Sequence, residues 1–130
     1  MGTPLFKEMY PNFSRSEFAC PCKKQSCPQF GMKHYFLAAI QDLRLQTAMP
    51  IEINSGFRCV EYNRTVLHSS PQSMHVDGLA ADISIRKLSP YQKHRLFKKA
   101  FLRFNGIGIY KEFLHLDLRS PHEKVVWIGH

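Results

Sequence analysis

The chain has 130 residues, with 18 Lys and Arg against 10 Asp and Glu, a formal net charge of +8 and a pI near 9.5. At that length a hydrophobic fraction of 44% and a phenylalanine count of 10 predict one globular domain over 1–130 with a real core, and exclude a disordered chain. No apolar run approaches the ~20 residues of a membrane-spanning helix and the first ten residues lack the basic start and apolar stretch of a signal peptide, so the expectation is a protein made in a cytoplasm, without membrane insertion.

Residues 33–47 repeat apolar positions at Phe36, Ile40 and Leu43 and stop before Pro50, which predicts an amphipathic core helix. Ile51 to Arg58 alternates Ile51, Ile53, Ser55 and Phe57 with Glu52, Asn54, Gly56 and Arg58, the period of a half-buried strand. A short helix follows through Val60 to Leu67, then a loop from His68 to Gly78 carrying Ser69-Ser70-Pro71. Ala80 to Arg86 reads as a strand with Ala81, Ile83 and Ile85 on one face and Asp82 and Ser84 on the other. Ser89-Pro90 is an N-cap followed by proline at the first helical position, starting a helix to about Arg103 that buries Leu96, Phe97, Ala100 and Phe101. Asn105-Gly106 turns the chain, 107–110 and 113–119 form a closing hairpin, and Val125 to Ile128 supply a last strand.

The positive charge concentrates at Arg86, Lys87, Lys93, His94, Arg95, Lys98, Lys99 and Arg103, on or just before the second long helix. Such a charge favours an acidic partner and also suits a solvated helix face. Aromatics do not interleave with these residues and no zinc-finger or helix-turn-helix spacing occurs, so nucleic acid is not the expected partner.

Strand parity groups the polar residues. Leu114, Leu116 and Leu118 share one face of the last long strand, and His115, Asp117 and Arg119 share the other. The same division sets Asp82 opposite Ile83, and Asn54 with Arg58 opposite Ile53 and Phe57. A sheet of these strands carries His115, Asp82 and Arg58 in one groove, which His75 reaches from the preceding loop.

His75 and Asp82, seven apart in sequence, together with His115 make a set of three N/O ligands that suits Zn²⁺ with one position left open. Glu112, three residues before His115, is the carboxylate such a site uses as general base. Its parity is wrong for the groove in a straight strand, so a turn or bulge between Glu112 and His115 is required. His34, His68, His94, His122 and His130 have no partner pattern and read as surface residues.

Ser-x-His-x-x-Gly-x-Ala-x-Asp at Ser73 to Asp82, Ser-Gly-Phe-Arg at 55–58 and Glu-x-x-His-x-Asp at 112–117 resemble the zinc D-Ala-D-Ala peptidases of the M15 group. Phe18-Ala19-Cys20 and Arg58-Cys59 are similar to its compact phage and prophage members, and the resemblance runs from about Phe13 to the C-terminus. It implies an α+β fold, a central antiparallel sheet flanked by helices as in DD-peptidases and hedgehog-type zinc domains. It implies His75, Asp82 and His115 as ligands of a catalytic zinc, Glu112 as base and Arg58 as electrophilic or carboxylate-holding helper. Ser73 is then a substrate contact, and Asp117 orients a ligand.

The implied function is hydrolysis of peptidoglycan stem peptides, at D-Ala-D-Ala or L-Ala-D-Glu bonds, by a monomeric lysin released to the wall through a holin-type partner. A non-catalytic zinc-containing module that docks on wall peptides or another protein is the alternative. Cys20, Cys22, Cys27 and Cys59 leave three readings open: a second, structural zinc, two disulfides, or free thiols.

Overall fold

A computed structural model of the protein describes residues 5–66, 73–120 and 124–129. It is an α+β fold in which a five-stranded sheet of order β1-β2-β4-β3-β5 is accompanied by four helices. The strands are β1 (Ile53–Ser55), β2 (Ala80–Ser84), β3 (Gly106–Ile109), β4 (Phe113–Asp117) and β5 (Val125–Ile128). The helices are α1 (Phe6–Met9), α2 (His34–Thr47), α3 (Val60–Thr65) and α4 (Pro90–Phe101), and a 3₁₀ turn spans Arg15–Phe18. The sheet is antiparallel as expected except at β5, which runs parallel to β3.

Helix α2 forms where the 3.6-residue repeat predicts it. Phe36, Ile40 and Leu43 are fully buried, and the helix ends at Ala48, whose φ of 54° is the left-handed C-cap conformation. Helix α4 starts on the Ser89 cap, whose hydroxyl accepts from Gln92 N at 3.2 Å, with Pro90 in the first turn. These helices bring Phe36, Leu96 and Ala100 into one core with Ala81, Ile83, Ile107, Leu114 and Leu116 from the sheet. Each large side chain fully withdrawn from water there contributes about 1.5–3 kcal/mol. Phe101, expected in the core, is 40% exposed. It is the last residue of α4, where its ring packs on Phe97 and beneath the Lys124 ammonium instead.

Two expectations are altered by local geometry. The first strand is only three residues long and its register with β2 is irregular, with Ile53 opposite Ile83 but Ser55 opposite Asp82. This bulge reverses the parity, so Ser55 shares the polar face with Asp82 while Asn54 is exposed. Arg58 lies beyond the strand, in the connection to α3. The expected helix to Leu67 ends at Thr65, and Leu67 with His68 and Ser69-Ser70-Pro71 lies outside the described residues.

Among the described residues no helix is long and apolar enough to cross a membrane.

Candidate metal centre

The core takes the leucine face of β4, which leaves Phe113, His115 and Asp117 on the other side. Regular pairing sets His115 directly opposite Asp82 on β2 and Asp117 opposite Ala80. The third member arrives from the turn before β2. His75 is 2% exposed, and its position depends on Gly78, whose φ of +71° and close approach to the Gly31 carbonyl leave no room for a side chain.

Three ligand atoms meet there. His75 Nε2 lies 3.2 Å from Asp82 Oδ1, and His115 Nδ1 lies 3.0 Å from the same oxygen. All three atoms fall within 4.8 Å of one another. A tetrahedral zinc with bonds of about 2.0–2.1 Å holds neighbouring donors about 3.3 Å apart.

The outer nitrogens fix the chemistry of this cluster. His75 Nδ1 is 2.7 Å from the Gly56 carbonyl oxygen, which can only accept, so this nitrogen carries the proton. His115 Nε2 is 2.7 Å from Asp117 Oδ2, again an acceptor. In the neutral imidazoles, therefore, both inward nitrogens present lone pairs to a carboxylate oxygen. Positive charge between them, either a proton on an inward nitrogen, which then donates to Asp82, or a metal ion, relieves this, and the donor set fits zinc.

A second tier of contacts holds the carboxylates. Asp82 Oδ2 accepts from Arg58 Nη2 at 3.3 Å, while Arg58 Nη1 donates to Asn63 Oδ1 and Nε to Ser55 Oγ at 3.3 and 3.2 Å. Burial pushes the Asp82 carboxyl up, but hydrogen bonds and charge from His115 and His75 outweigh it and hold Asp82 below the usual carboxylate range. For Arg58 burial lowers the pKa, with Asp82 opposing. Asp117, fully buried, takes Arg119 Nε at 2.9 Å and Nη2 at 2.6 Å. Burial raises its pKa, yet Arg119 and His115 together bring it down to about 2. The same pair of carboxylates lifts the His115 pKa against the lowering effect of burial.

The sheet makes room for this arrangement on β3. Gly106 lies opposite Asp117, and a methyl group there would run into its carboxylate. Gly108 lies opposite His115 and beneath the Trp127 indole, whose ring centroid is 5.3 Å from that of His115.

The remaining sequence candidates divide. Ser73 stands beside the cluster, its hydroxyl accepting from His75 N at 3.2 Å. Glu112 is exposed, in the two-residue turn closed by Tyr110 N donating to Phe113 O at 3.0 Å. That turn removes Glu112 from the alternation of β4, and its carbonyl accepts from Ile85 N. The four cysteines gather in a separate cluster. Arg119 had a sequence signal, its shared parity with Asp117. Asn63 and the Gly56 carbonyl had none, because they reach the site from other elements.

The family model described as Peptidase M15 matches residues 11–117. The chain belongs to the peptidase M15 family. M15 peptidases are zinc enzymes that act on peptidoglycan peptides. Comparison with curated proteins finds no significant match. The part of this M15 peptidase that matches spans Arg58, His75, Asp82, His115 and Asp117, and Arg119 lies just beyond it.

Proposed function

We propose that this M15 peptidase is a zinc-dependent hydrolase of peptidoglycan stem peptides, cutting D-Ala-D-Ala or L-Ala-D-Glu bonds as a phage or prophage lysin. The convergence of two histidine lone pairs on Asp82 Oδ1, with both outer nitrogens committed elsewhere, carries the reading. His75, Asp82 and His115 hold the ion. Zinc bound there supplies a Lewis acid for the peptide carbonyl and lowers the pKa of water to about 7.

The chain's own groups do the rest. Glu112, exposed at the hairpin tip three residues before His115, accepts the proton of the attacking water and passes it to the leaving amine. Arg58 has five N–H donors, of which Asp82, Asn63 and Ser55 engage three. The others stabilise the oxyanion or hold a substrate carboxylate, while the bond to Asp82 keeps that ligand aimed. Ser73 accepts from His75 N and retains its hydroxyl proton for the substrate. The net charge of +8 draws the protein to an anionic wall after holin-type release.

The exposed position of Glu112, out of contact with the cluster, favours a second reading, a zinc-containing module that docks on wall peptides without cutting them. Mass spectrometry of purified peptidoglycan incubated with zinc-loaded protein separates the two. Loss of terminal alanine identifies the carboxypeptidase, and separation of L-Ala from D-Glu identifies the endopeptidase. Muropeptides left intact by protein that pellets with the wall would establish the docking module.

A further inference from the structure

The N-terminal segment contains a second cluster, away from β2 and β4. Cys20, Cys22 and Cys27 come from the loop after the 3₁₀ turn, and Cys59 caps the N-terminus of α3. Their four Sγ atoms lie within 4.8 Å of one another, and Cys59 Sγ stands 3.8 Å from Cys20 Sγ and 3.7 Å from Cys22 Sγ. Zinc–thiolate bonds of about 2.3 Å in a tetrahedron put neighbouring sulfurs about 3.8 Å apart. Cys59 is equally near two partners, so the arrangement singles out no disulfide pairing.

Every one of these sulfurs also receives a backbone N–H. Lys24 N donates to Cys22 Sγ at 3.5 Å, Gln29 N to Cys27 Sγ at 3.2 Å, Cys59 N to Cys20 Sγ at 3.4 Å and Tyr62 N to Cys59 Sγ at 3.4 Å. A neutral thiol is a weak acceptor, whereas a thiolate makes charge-assisted hydrogen bonds with amides. The chain goes to some cost to arrange these bonds. Lys23 and Gln29 both occupy the left-handed region, at φ 60° and 68°, which is unfavourable for residues with a side chain.

We propose that Cys20, Cys22, Cys27 and Cys59 bind a structural zinc ion as a closed set of four thiolates. Deprotonation of the four thiols releases their protons to solvent, and no redox partner is needed. The ion leaves no open position, so it does no chemistry on substrate. It fastens the 20–29 loop, closed by Cys20 N donating to Gln29 O at 2.7 Å, to the residue that follows Arg58. The site is independent of the catalytic reading, since none of its ligands belongs to the other cluster.

The test uses the whole protein, purified anaerobically without chelator or added reductant. Titration with an organomercurial in the presence of a metallochromic indicator should release one zinc in step with modification of the four thiols. Replacement by Co²⁺ should add an intense thiolate-to-cobalt charge-transfer band in the near ultraviolet, which a His₂Asp site does not give, and a His75→Ala variant should keep that band. Thiols that react without metal release, absence of the charge-transfer band from cobalt-loaded protein, or a mass four hydrogens lower from two disulfides would each overturn the proposal. Loss of peptidase activity alone, with thiol-linked zinc intact, would count only against the catalytic assignment.

Discussion

The two clusters are built by opposite means. His115 and Asp82 sit on adjacent strands whose pairing runs without interruption from Ala80 opposite Asp117 to Ser84 opposite Phe113. The cysteines hang from a loop and a helix cap. The histidine–aspartate cluster is therefore held mainly by the sheet, with His75 added from the turn before β2. In the cysteine cluster a bound metal would itself be the fastening, and its binding free energy would be folding free energy. A fold can prepare a metal site or be prepared by it, and the two proposed sites of this chain would be one of each kind.

That contrast is broken or sharpened by removing one ligand from each side. His75→Ala should abolish turnover and empty the catalytic site, while circular dichroism and the thiol-linked zinc stay as in the wild type. Cys27→Ser should act first on the fold, with a lower melting temperature and early proteolysis within the first 60 residues. Equal loss of structure in the two variants would mean that the sheet does not prepare its site.

Glu112→Gln is expected to lower kcat by about 10²–10⁴ with zinc content unchanged, because the amide keeps the shape but cannot accept a proton. Near-wild-type turnover would move the base elsewhere. Asp117→Asn should weaken catalytic zinc affinity by about 10–100-fold, the usual penalty for losing the partner that orients a ligating histidine. Competition with a chromogenic chelator measures it, and the thiol-linked zinc should not change.

A smaller effect concerns acid stability of the metal-free protein. Asp117 titrates at about 2 in the fold against about 3.9 in an unfolded chain. Its contribution to stability is complete above about pH 4 and disappears as the pH falls through about 2. Urea melts of the chelated protein between those limits should show a shallower acid dependence in Asp117→Asn than in the wild type.

What the sequence made legible were periodic features. The repeat of Phe36, Ile40 and Leu43 located α2, and the alternation of 113–119 put His115, Asp117 and Arg119 on one face. Both follow from local geometry that every residue of an element obeys. Less legible was anything set by a break in period. The bulge in β1 exchanged Asn54 for Ser55 beside Asp82. Contacts between distant segments left no mark on local pattern either. Asn63 on Arg58 and the Gly56 carbonyl on His75 are of this kind.

Gly106 gives the centre a dependence on a residue with no side chain to coordinate or donate. The Asp117 carboxylate occupies the space where a side chain on β3 would stand, so His115 keeps its orientation through an empty volume on the neighbouring strand. Mutational sensitivity of the centre thus reaches a position that a scan of heteroatom-bearing side chains never samples. A stabilisation campaign that replaces strand glycines by alanine would displace the Asp117 carboxylate, and with it the His115 ring, without altering a histidine or carboxylate of the cluster.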